Sequence, residues 1–203
     1  MKYIYLHGLG QTADSWNQIA GEGDICLDLP GLLQGQQATY LNLYRAVSQK
    51  CDAEPDNLVL CGLSLGAVLA LNYAIDRPQK VKALVLIAAQ YKMPTALLKL
   101  QNFLFRLMPS SMFQGTGFGK ADFISLCGTM GKLNFQPAQT AISCPILIVC
   151  GQKDRANQKA AKELTQLLKN AQFVQIPGAG HEVNQEAPAK LSAALQAFYK
   201  GIR

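Results

Sequence analysis

Short apolar segments recur along the chain, and longer segments with a different apolar period separate them. Six of the short segments predict β-strands, at residues 2–7, 24–30, 57–62, 81–89, 144–151 and 172–177. Most of them carry apolar residues on both faces, as the strands of a parallel sheet do when helices cover both of its sides.

The connections between these strands carry apolar residues at helical spacing. Helices are predicted at residues 39–51, 65–78, 156–170 and 184–200. The third of these is amphipathic, with Leu164, Leu167 and Leu168 directed inward. Because strands and helices alternate, we predict an α/β fold with a doubly wound, mostly parallel six-stranded sheet flanked by helices.

One connection is much longer than the others. Residues 91–143 separate the fourth strand from the fifth, which is too long for a simple connection. Within it, residues 95–109 are apolar nearly all round if helical, residues 110–119 are irregular, and residues 120–133 predict a second helix. We therefore expect a single domain over residues 1–203 with an apolar, partly helical insertion.

Composition supports a globular domain. The 203 residues are 49% hydrophobic and 16% charged, which is enough apolar sequence for a sizeable core. No segment approaches the roughly 18 consecutive apolar residues of a membrane-spanning helix. The first residues, MKYIYLHGLG, do not have the long apolar region of a signal peptide, so we expect a cytoplasmic protein.

Charge and cysteine content exclude several classes of partner. The net charge is +6, but the Lys and Arg residues are scattered and do not interleave with aromatic residues, so no nucleic-acid partner is expected. The six cysteines and two histidines do not form a cluster with metal-ligand spacing. We expect reduced core thiols, no metal and no organic cofactor.

The sequence GLSLG at residues 62–66 lies where a predicted strand turns into a predicted helix. A G-x-S-x-G sequence in that context is typical of a nucleophilic serine on a strained turn. The flanking glycines are required because larger side chains would clash with the strand and the helix. Ser64 is therefore a candidate nucleophile, and the alternative is an ordinary glycine-containing turn.

A serine hydroxyl is a poor nucleophile unless a base accepts its proton. The two histidines are His7, at the end of the first strand, and His181, in the loop after the last strand. Asp154, just after the fifth strand, could orient His181 and would give the chain order Ser, Asp, His. The alternatives are a structural loop histidine at 181 and a helix N-cap at 154. Asp28 also ends a strand, but it precedes the serine and lies in the DLPG sequence, so we expect it to shape that turn instead.

Acyl transfer also needs donors for the negative oxygen that develops in the transition state. The backbone N–H of Leu65 follows the candidate nucleophile directly. The loop HGLGQ at residues 7–11 has two glycines that would allow the Leu9 N–H to turn inward. Leu9 and Leu65 are therefore candidate oxyanion donors.

Five motifs occur in the order in which the α/β-hydrolase superfamily carries them: HGLG, DLPG, GLSLG, CPILIVCGQKD and IPGAGHEVNQEAP. The chain resembles a small member of that superfamily over essentially its whole length. The resemblance implies that Ser64 is the nucleophile, Asp154 the acid and His181 the base. It also implies that the backbone N–H groups of Leu9 and Leu65 form the oxyanion hole.

The insertion at about 91–143 falls where this superfamily carries its lid, and it is short for a lid. We expect the substrate pocket to include Gln90, Leu98, Phe103 and Met108. The alternative for the apolar residues is ordinary packing within the lid.

The resemblance implies a serine hydrolase that cleaves a small ester through an acyl-enzyme intermediate. The same triad could serve a thioesterase, an acyltransferase or a lyase, since the fold does not fix the chemistry. A non-catalytic ligand-binding protein is a further alternative. A small-molecule ester or thioester is the expected partner, and the oligomeric state is left open.

Overall fold

The computed structural model describes residues 1–135 and 142–202, apart from the side chain of Leu97. The six strands are β1 (Lys2–Leu6), β2 (Ile25–Leu27), β3 (Leu58–Leu63), β4 (Val81–Ile87), β5 (Ile146–Gly151) and β6 (Ala171–Ile176). They form one sheet in the order β2-β1-β3-β4-β5-β6. All five pairings between neighbouring strands are parallel, which confirms the predicted sheet.

Helices connect the strands and pack on both faces of the sheet. They are α1 (Leu29–Leu32), α2 (Tyr40–Ala53), α3 (Leu65–Asp76), α4 (Thr95–Leu107), α5 (Lys120–Met130), α6 (Arg155–Leu167), α7 (Val183–Glu186) and α8 (Pro188–Lys200). Single 3₁₀ turns lie at Ala13–Trp16 and Ser110–Phe113. No helix within the described ranges is long and apolar enough to cross a membrane.

The core has two layers because successive strand residues point to opposite faces of the sheet. Ile4 and Leu60 face the layer that contains α2, α3, α6 and the insertion. Tyr5 and Val59 face the layer that contains α8 and the first 3₁₀ turn. With apolar side chains on both faces, the central strands are buried, as the continuous apolar segments predicted.

Of the three leucines predicted to point inward from the third predicted helix, Leu164 and Leu168 are buried, but the prediction is wrong for Leu167, which is 40% exposed.

Three elements differ from the sequence prediction. The segment predicted as one helix at 184–200 is two helices, because Pro188 disfavours the helical conformation at Ala187, which lies at φ −147° and ψ 54°. The strand predicted at 24–30 has only three residues at the sheet edge. Residues after it form the short helix α1, with Pro30 in its first turn, where a missing N–H costs nothing.

The insertion folds into α4, a 3₁₀ turn and α5. Within it, Lys92 pairs with Asn134 in an isolated antiparallel bridge that brings together the segments before α4 and after α5. The predicted insertion also includes residues 136–141, which lie outside the described residues. Helices are therefore present where the apolar pattern predicted them, at slightly different bounds.

The carboxyl ends of the central strands are joined beyond the strands themselves. The Ser64 N–H donates to the carbonyl of Ile87 at 2.9 Å, and the Ala88 N–H donates to the carbonyl of Val149 at 2.9 Å. The turns that follow β3, β4 and β5 are thereby held side by side at one edge of the sheet. In open α/β sheets this edge is where ligands bind.

Candidate active site

Ser64 occupies the turn between β3 and α3 in a backbone conformation that side chains rarely adopt. Its φ is 53° and its ψ is −111°. A Cβ on Gly62 would lie 2.3 Å from the Gly66 carbonyl oxygen, and a Cβ on Gly66 would lie 2.2 Å from the Leu6 carbonyl oxygen. The strained turn therefore requires glycine on both sides, as the sequence argument expected.

Asp154 and His181 lie within hydrogen-bond distance. The Nδ1 atom of His181 is 2.9 Å from Oδ2 of Asp154. Asp154 stands at the N-cap position of α6, but its side chain makes no capping hydrogen bond. Its carboxylate is directed to the histidine instead, which favours a functional role over the alternative of a helix cap.

Asn157 contacts the same carboxylate beside the imidazole. Its Nδ2 atom is 2.9 Å from each carboxylate oxygen of Asp154 and 3.2 Å from Nδ1 of His181. Gln90 donates from Nε2 to Oδ1 of Asn157 at 2.7 Å, which turns the amide nitrogen toward Asp154. The chain Gln90, Asn157, Asp154 and His181 thus fixes the acid in one orientation.

These contacts shift both pKa values in the directions that an ion pair requires. Burial alone would raise the pKa of Asp154, but the hydrogen bonds from His181 and Asn157 outweigh it and leave the pKa below its ordinary value. The hydrogen bond to Asp154 raises the pKa of His181 above its ordinary value, although burial opposes it. The histidine side chain is 44% exposed and the aspartate 5%, so the imidazole can meet a substrate while the acid is shielded.

The loop that carries His181 is held by a carboxylate of α7. Glu186 accepts from the backbone N–H of Gly180 at 2.7 Å and from that of Glu182 at 3.0 Å. These two residues flank the histidine. Glu186 therefore fixes the backbone on both sides of His181, and its charge adds to the rise in the histidine pKa.

The two candidate oxyanion donors have free backbone N–H groups. Among the hydrogen bonds of the described residues, neither the Leu9 nor the Leu65 N–H has a partner. Leu65 is the first residue of α3, where N–H groups are unpaired by geometry. A Cβ on Gly8 would lie 3.6 Å from the Cβ of Ser64, so the loop that contains Leu9 runs directly beside the serine.

A cavity of about 350 Å³ contains Ser64, Asp154 and His181 in its lining. Gln90 and Leu98 line it, and Leu98 comes from α4. Among the described residues, neither the Ser64 hydroxyl nor Nε2 of His181 makes a hydrogen bond, so both are available to a bound molecule.

Phe103 and Met108 lie outside this cavity. Phe103 is 57% exposed and lines a separate groove between α4 and α5. It lies five residues after Leu98, which places it about 140° away around the helix. Met108 follows the end of α4 and packs against the core.

The second histidine is buried and has two partners. His7 is fully buried, accepts from the Leu29 N–H at Nε2 over 3.2 Å, and has Nδ1 2.9 Å from the Gly8 carbonyl oxygen. Burial lowers its pKa from the ordinary value. His7 therefore stabilises the turns after β1 and β2, which leaves His181 as the histidine in the cavity.

No group of three or more His, Cys, Asp or Glu side chains within residues 1–135 and 142–202 could hold a metal ion. Asp154 and His181 contact each other as a pair.

A family model described as "Alpha/beta hydrolase family" matches residues 4–194. The chain belongs to this family.

Among curated proteins, this chain is similar to the pimeloyl-[acyl-carrier protein] methyl ester esterase of Citrobacter koseri, at 33% identity over 91 residues. That match covers 42% of this chain and 36% of the relative. The aligned part is thus about a third of the curated relative's length.

Solved structures extend the similarity to the whole fold. A bacterial membrane phospholipase A superposes with a TM-score of 0.81 at 22% identity, over 100% of this chain and 79% of the other. A thermophilic esterase from Thermogutta terrifontis superposes with a TM-score of 0.77 at 17% identity, over 100% of this chain and 90% of the other. At these identities the likeness shows the hydrolase fold alone.

The amides that support this candidate site were not predicted from the sequence. Gln11 and Asn184, 3% and 1% exposed, are joined by two hydrogen bonds, and Gln11 also accepts from the Gly8 N–H. They tie the loop of Leu9 to α7. The one local signal was Asn157, because a polar residue three positions after an N-cap commonly reaches back to it.

Proposed function

We propose that this α/β hydrolase is a serine esterase that cleaves small carboxylic esters. The observation that carries the proposal is the Asp154–His181 pair, which lies at 2.9 Å and lines one cavity with the strained Ser64. In this proposal Ser64 is the nucleophile, His181 the general base and acid, and Asp154 the residue that orients the imidazole.

The reaction proceeds in two halves. Ser64 Oγ attacks the ester carbonyl carbon while Nε2 of His181 accepts the hydroxyl proton. The bond to the leaving oxygen then breaks, and His181 returns the proton so that an alcohol departs. Water next attacks the acyl carbon, His181 accepts a proton from it, and Ser64 regains the proton as the carboxylic acid leaves.

Negative charge develops on the carbonyl oxygen in each half. The N–H groups of Leu9 and Leu65 are proposed to bind that oxygen, since both are unpaired and both adjoin Ser64. Loss of one such donor typically costs about 10²–10³-fold in rate. Asp154 stabilises the imidazolium that forms, and its lowered pKa keeps it ionised while it does so.

The lining of the cavity supports a small, partly apolar acyl group. Leu65, Val68, Met93 and Met130 provide apolar surface, and Gln90 and Gln101 provide amides. The curated relative is named for a methyl ester esterase, which supports an oxygen ester over other acyl substrates. Leu98 and Gln90 are kept in the proposed pocket, whereas Phe103 and Met108 are left out of it.

We also propose that the enzyme acts in the cytoplasm. Its six cysteines are free thiols, and four of them are buried in the core. Such an arrangement is typical of a protein that folds in a reducing compartment.

Hydrolysis of p-nitrophenyl esters of graded chain length tests the proposal. Ser64→Ala is expected to lower kcat by about a millionfold, because the nucleophile is removed. The matched control is Ser143→Ala at an exposed position, which should leave kcat unchanged. Full turnover by the Ser64→Ala variant would refute the proposal.

An acyl acceptor added to the same assay separates hydrolysis from transfer. An esterase releases the acyl group to water, so a simple alcohol should divert only a minor part of the product. An acyltransferase would form mainly the new ester.

A further inference from the structure

The outer face of α4 leaves large apolar side chains in solvent. Leu100, Phe103, Leu104 and Leu107 are 54%, 57%, 48% and 68% exposed, and Met112 in the following 3₁₀ turn is 61% exposed. They are five of the eight exposed large hydrophobic residues among the described residues, so exposure is concentrated in this one segment. Clusters of this kind mark interaction surfaces.

The four helical members form one stripe. Their spacing of three, four and seven residues places Leu100, Phe103, Leu104 and Leu107 within an arc of about 100° on the helix. The opposite side of α4 is the one that packs inward, where Leu98 and Gln101 line the active-site cavity. We call the four exposed residues with Met112 the outer stripe.

Cationic side chains border the outer stripe, and no acid lies on α4. Lys99 and Arg106 line a groove of about 550 Å³ between α4 and α5, and Lys132 faces them from beyond α5. None of the three forms an ion pair within the described part of the chain. Their charge is therefore available to an outside partner.

The whole insertion carries this excess of positive charge. Residues 91–135 contain five Lys or Arg residues and one carboxylate, Asp122, which is a balance of +4 out of the protein's +6. Asp122 accepts from the Gly119 N–H at 2.8 Å and caps α5. Lys120 Nζ donates to the carbonyls of Arg106 and Met108, which adds a cation at the carboxyl end of α4.

We propose that α4 docks on the surface of an anionic lipid bilayer. The outer stripe enters the boundary between headgroups and acyl chains, and Lys99, Arg106 and Lys132 contact the headgroup phosphates. A helix with an apolar face, a cationic border and no acid has the composition that lies in such an interface. The inner side of the same helix then sets the active-site cavity next to the bilayer.

The positive charge around the outer stripe favours a lipid bilayer over a second copy of the chain as its partner. Two copies that met through their outer stripes would bring the same uncompensated cations together, and like charges at close range oppose association. The outer stripe also lies on the convex surface of a helix. Such a surface can enter lipid directly, whereas a protein partner would need a matching groove. The proposal does not depend on the catalytic roles assigned to Ser64, Asp154 and His181.

Flotation with vesicles tests the proposal on the full-length protein. Vesicles of phosphatidylcholine alone are compared with vesicles that contain 3:7 phosphatidylglycerol to phosphatidylcholine, a ratio of about one anionic lipid in three. We expect binding to the anionic vesicles, little binding to the neutral ones, and weaker binding as the salt concentration rises.

Four double variants locate the binding surface, two on α4 and two as matched controls elsewhere. Leu104→Gln with Leu107→Gln should lower anionic-vesicle binding about tenfold or more, because two apolar anchors are removed. The control pair, Leu41→Gln with Leu167→Gln, alters exposed leucines on α2 and α6 and should bind like the unmodified protein. Lys99→Gln with Arg106→Gln should also weaken binding, whereas Lys50→Gln with Lys169→Gln, which has the same net charge, should not.

Thermal unfolding of each variant checks that the fold is intact, which is expected because all of the changed side chains are partly or fully exposed. Equal binding to neutral and anionic vesicles would overturn the proposal, as would equal loss in the control pairs. No vesicle binding at all would overturn it as well. A dimer in analytical ultracentrifugation that the Leu104→Gln and Leu107→Gln changes abolish would assign the outer stripe to a second copy.

Discussion

The turn at Ser64 and the helix α4 form two walls of the same cavity, and they are held in different ways. Ser64 is fixed by a backbone hydrogen bond to β4 and by two glycines whose added Cβ atoms would fall within 2.3 Å of backbone atoms. Helix α4 packs on one side only, and its outer stripe is in solvent. The wall that holds the proposed nucleophile, called the catalytic wall below, therefore tolerates almost no change of shape, whereas the outer side of α4 in the insertion, the proposed lid, is free to serve another purpose.

The largest effect is expected at the catalytic wall. Asp154→Asn should lower kcat by about 10³–10⁴-fold, because the new amide would donate to Nδ1 of His181 and fix the wrong tautomer. Asp122→Asn makes the same chemical change in the lid and should leave kcat within about twofold. Steady-state hydrolysis of a short p-nitrophenyl ester measures both, and equal losses would remove the distinction between the two walls.

A glycine-to-alanine change in each region should alter stability in opposite directions. Gly66→Ala should lower the free energy of unfolding by about 3 kcal/mol or more, because its Cβ would meet the Leu6 carbonyl oxygen at 2.2 Å. Gly128→Ala, in α5, has its nearest neighbour at 3.6 Å and should raise that free energy by about 0.5–1 kcal/mol. Urea unfolding tests both, and a stable Gly66→Ala protein would contradict the steric account of the turn.

The sequence predicted the catalytic wall better than the lid, for a physical reason. A strained turn needs glycines at fixed positions beside Ser64, and parallel strands need continuous apolar residues, so both leave local marks in the sequence. The side toward which an apolar helix packs depends on the whole fold. Leu98 and Phe103 are both large apolar residues of the same helix, but Leu98 lines the cavity and Phe103 is in solvent.

Other features were missed because they depend on contacts between distant segments. Gln11 and Asn184 lie far apart in the chain and meet only when β1 and α7 come together. Asn157 is held by Gln90 across a gap of 67 residues, against 173 residues between Gln11 and Asn184. The break at Ala187 could have been predicted, since Pro188 was visible in the sequence.

The pH dependence of activity should reflect the Asp154–His181 pair. His181 must be neutral to accept a proton, and its raised pKa moves the acid limb of kcat/KM above pH 6.5, the ordinary histidine value. The histidine's contribution to stability changes with pH in the opposite direction to activity. It is full below pH 6.5 and is lost as the pH rises through the raised pKa of His181. The aspartate part is present above pH 3.8 and is lost as the pH falls through the lowered pKa of Asp154.

Two measurements follow from these signs. A kcat/KM profile should place the acid limb above pH 6.5. Urea unfolding should show the largest difference in unfolding free energy between the unmodified protein and His181→Gln from pH 3.8 to pH 6.5, the ordinary pKa values of the two groups. The difference should be smaller at alkaline pH. An acid limb below the ordinary histidine value would contradict the proposed base.

The smallest effect on activity is expected from substitutions on α4, where the inner and outer sides should differ in their influence on acyl-chain preference. Leu98→Ala enlarges the cavity and should shift the preferred acyl chain by about one or two methylene groups, with a change of about 10-fold in relative kcat/KM. Phe103→Ala lies on the outer stripe and should leave the preference for soluble esters unchanged. A larger shift from Phe103→Ala would place the substrate pocket on the groove between α4 and α5.

Covalent labelling tests the central claim, that Ser64 is a nucleophile activated by His181. A fluorophosphonate should add one phosphonyl group to the protein, and peptide mapping by mass spectrometry should locate it on Ser64. His181→Ala should slow labelling by orders of magnitude, while Ser143→Ala should not change it. Modification at another residue, or labelling of Ser64 at the same rate without His181, would contradict the account.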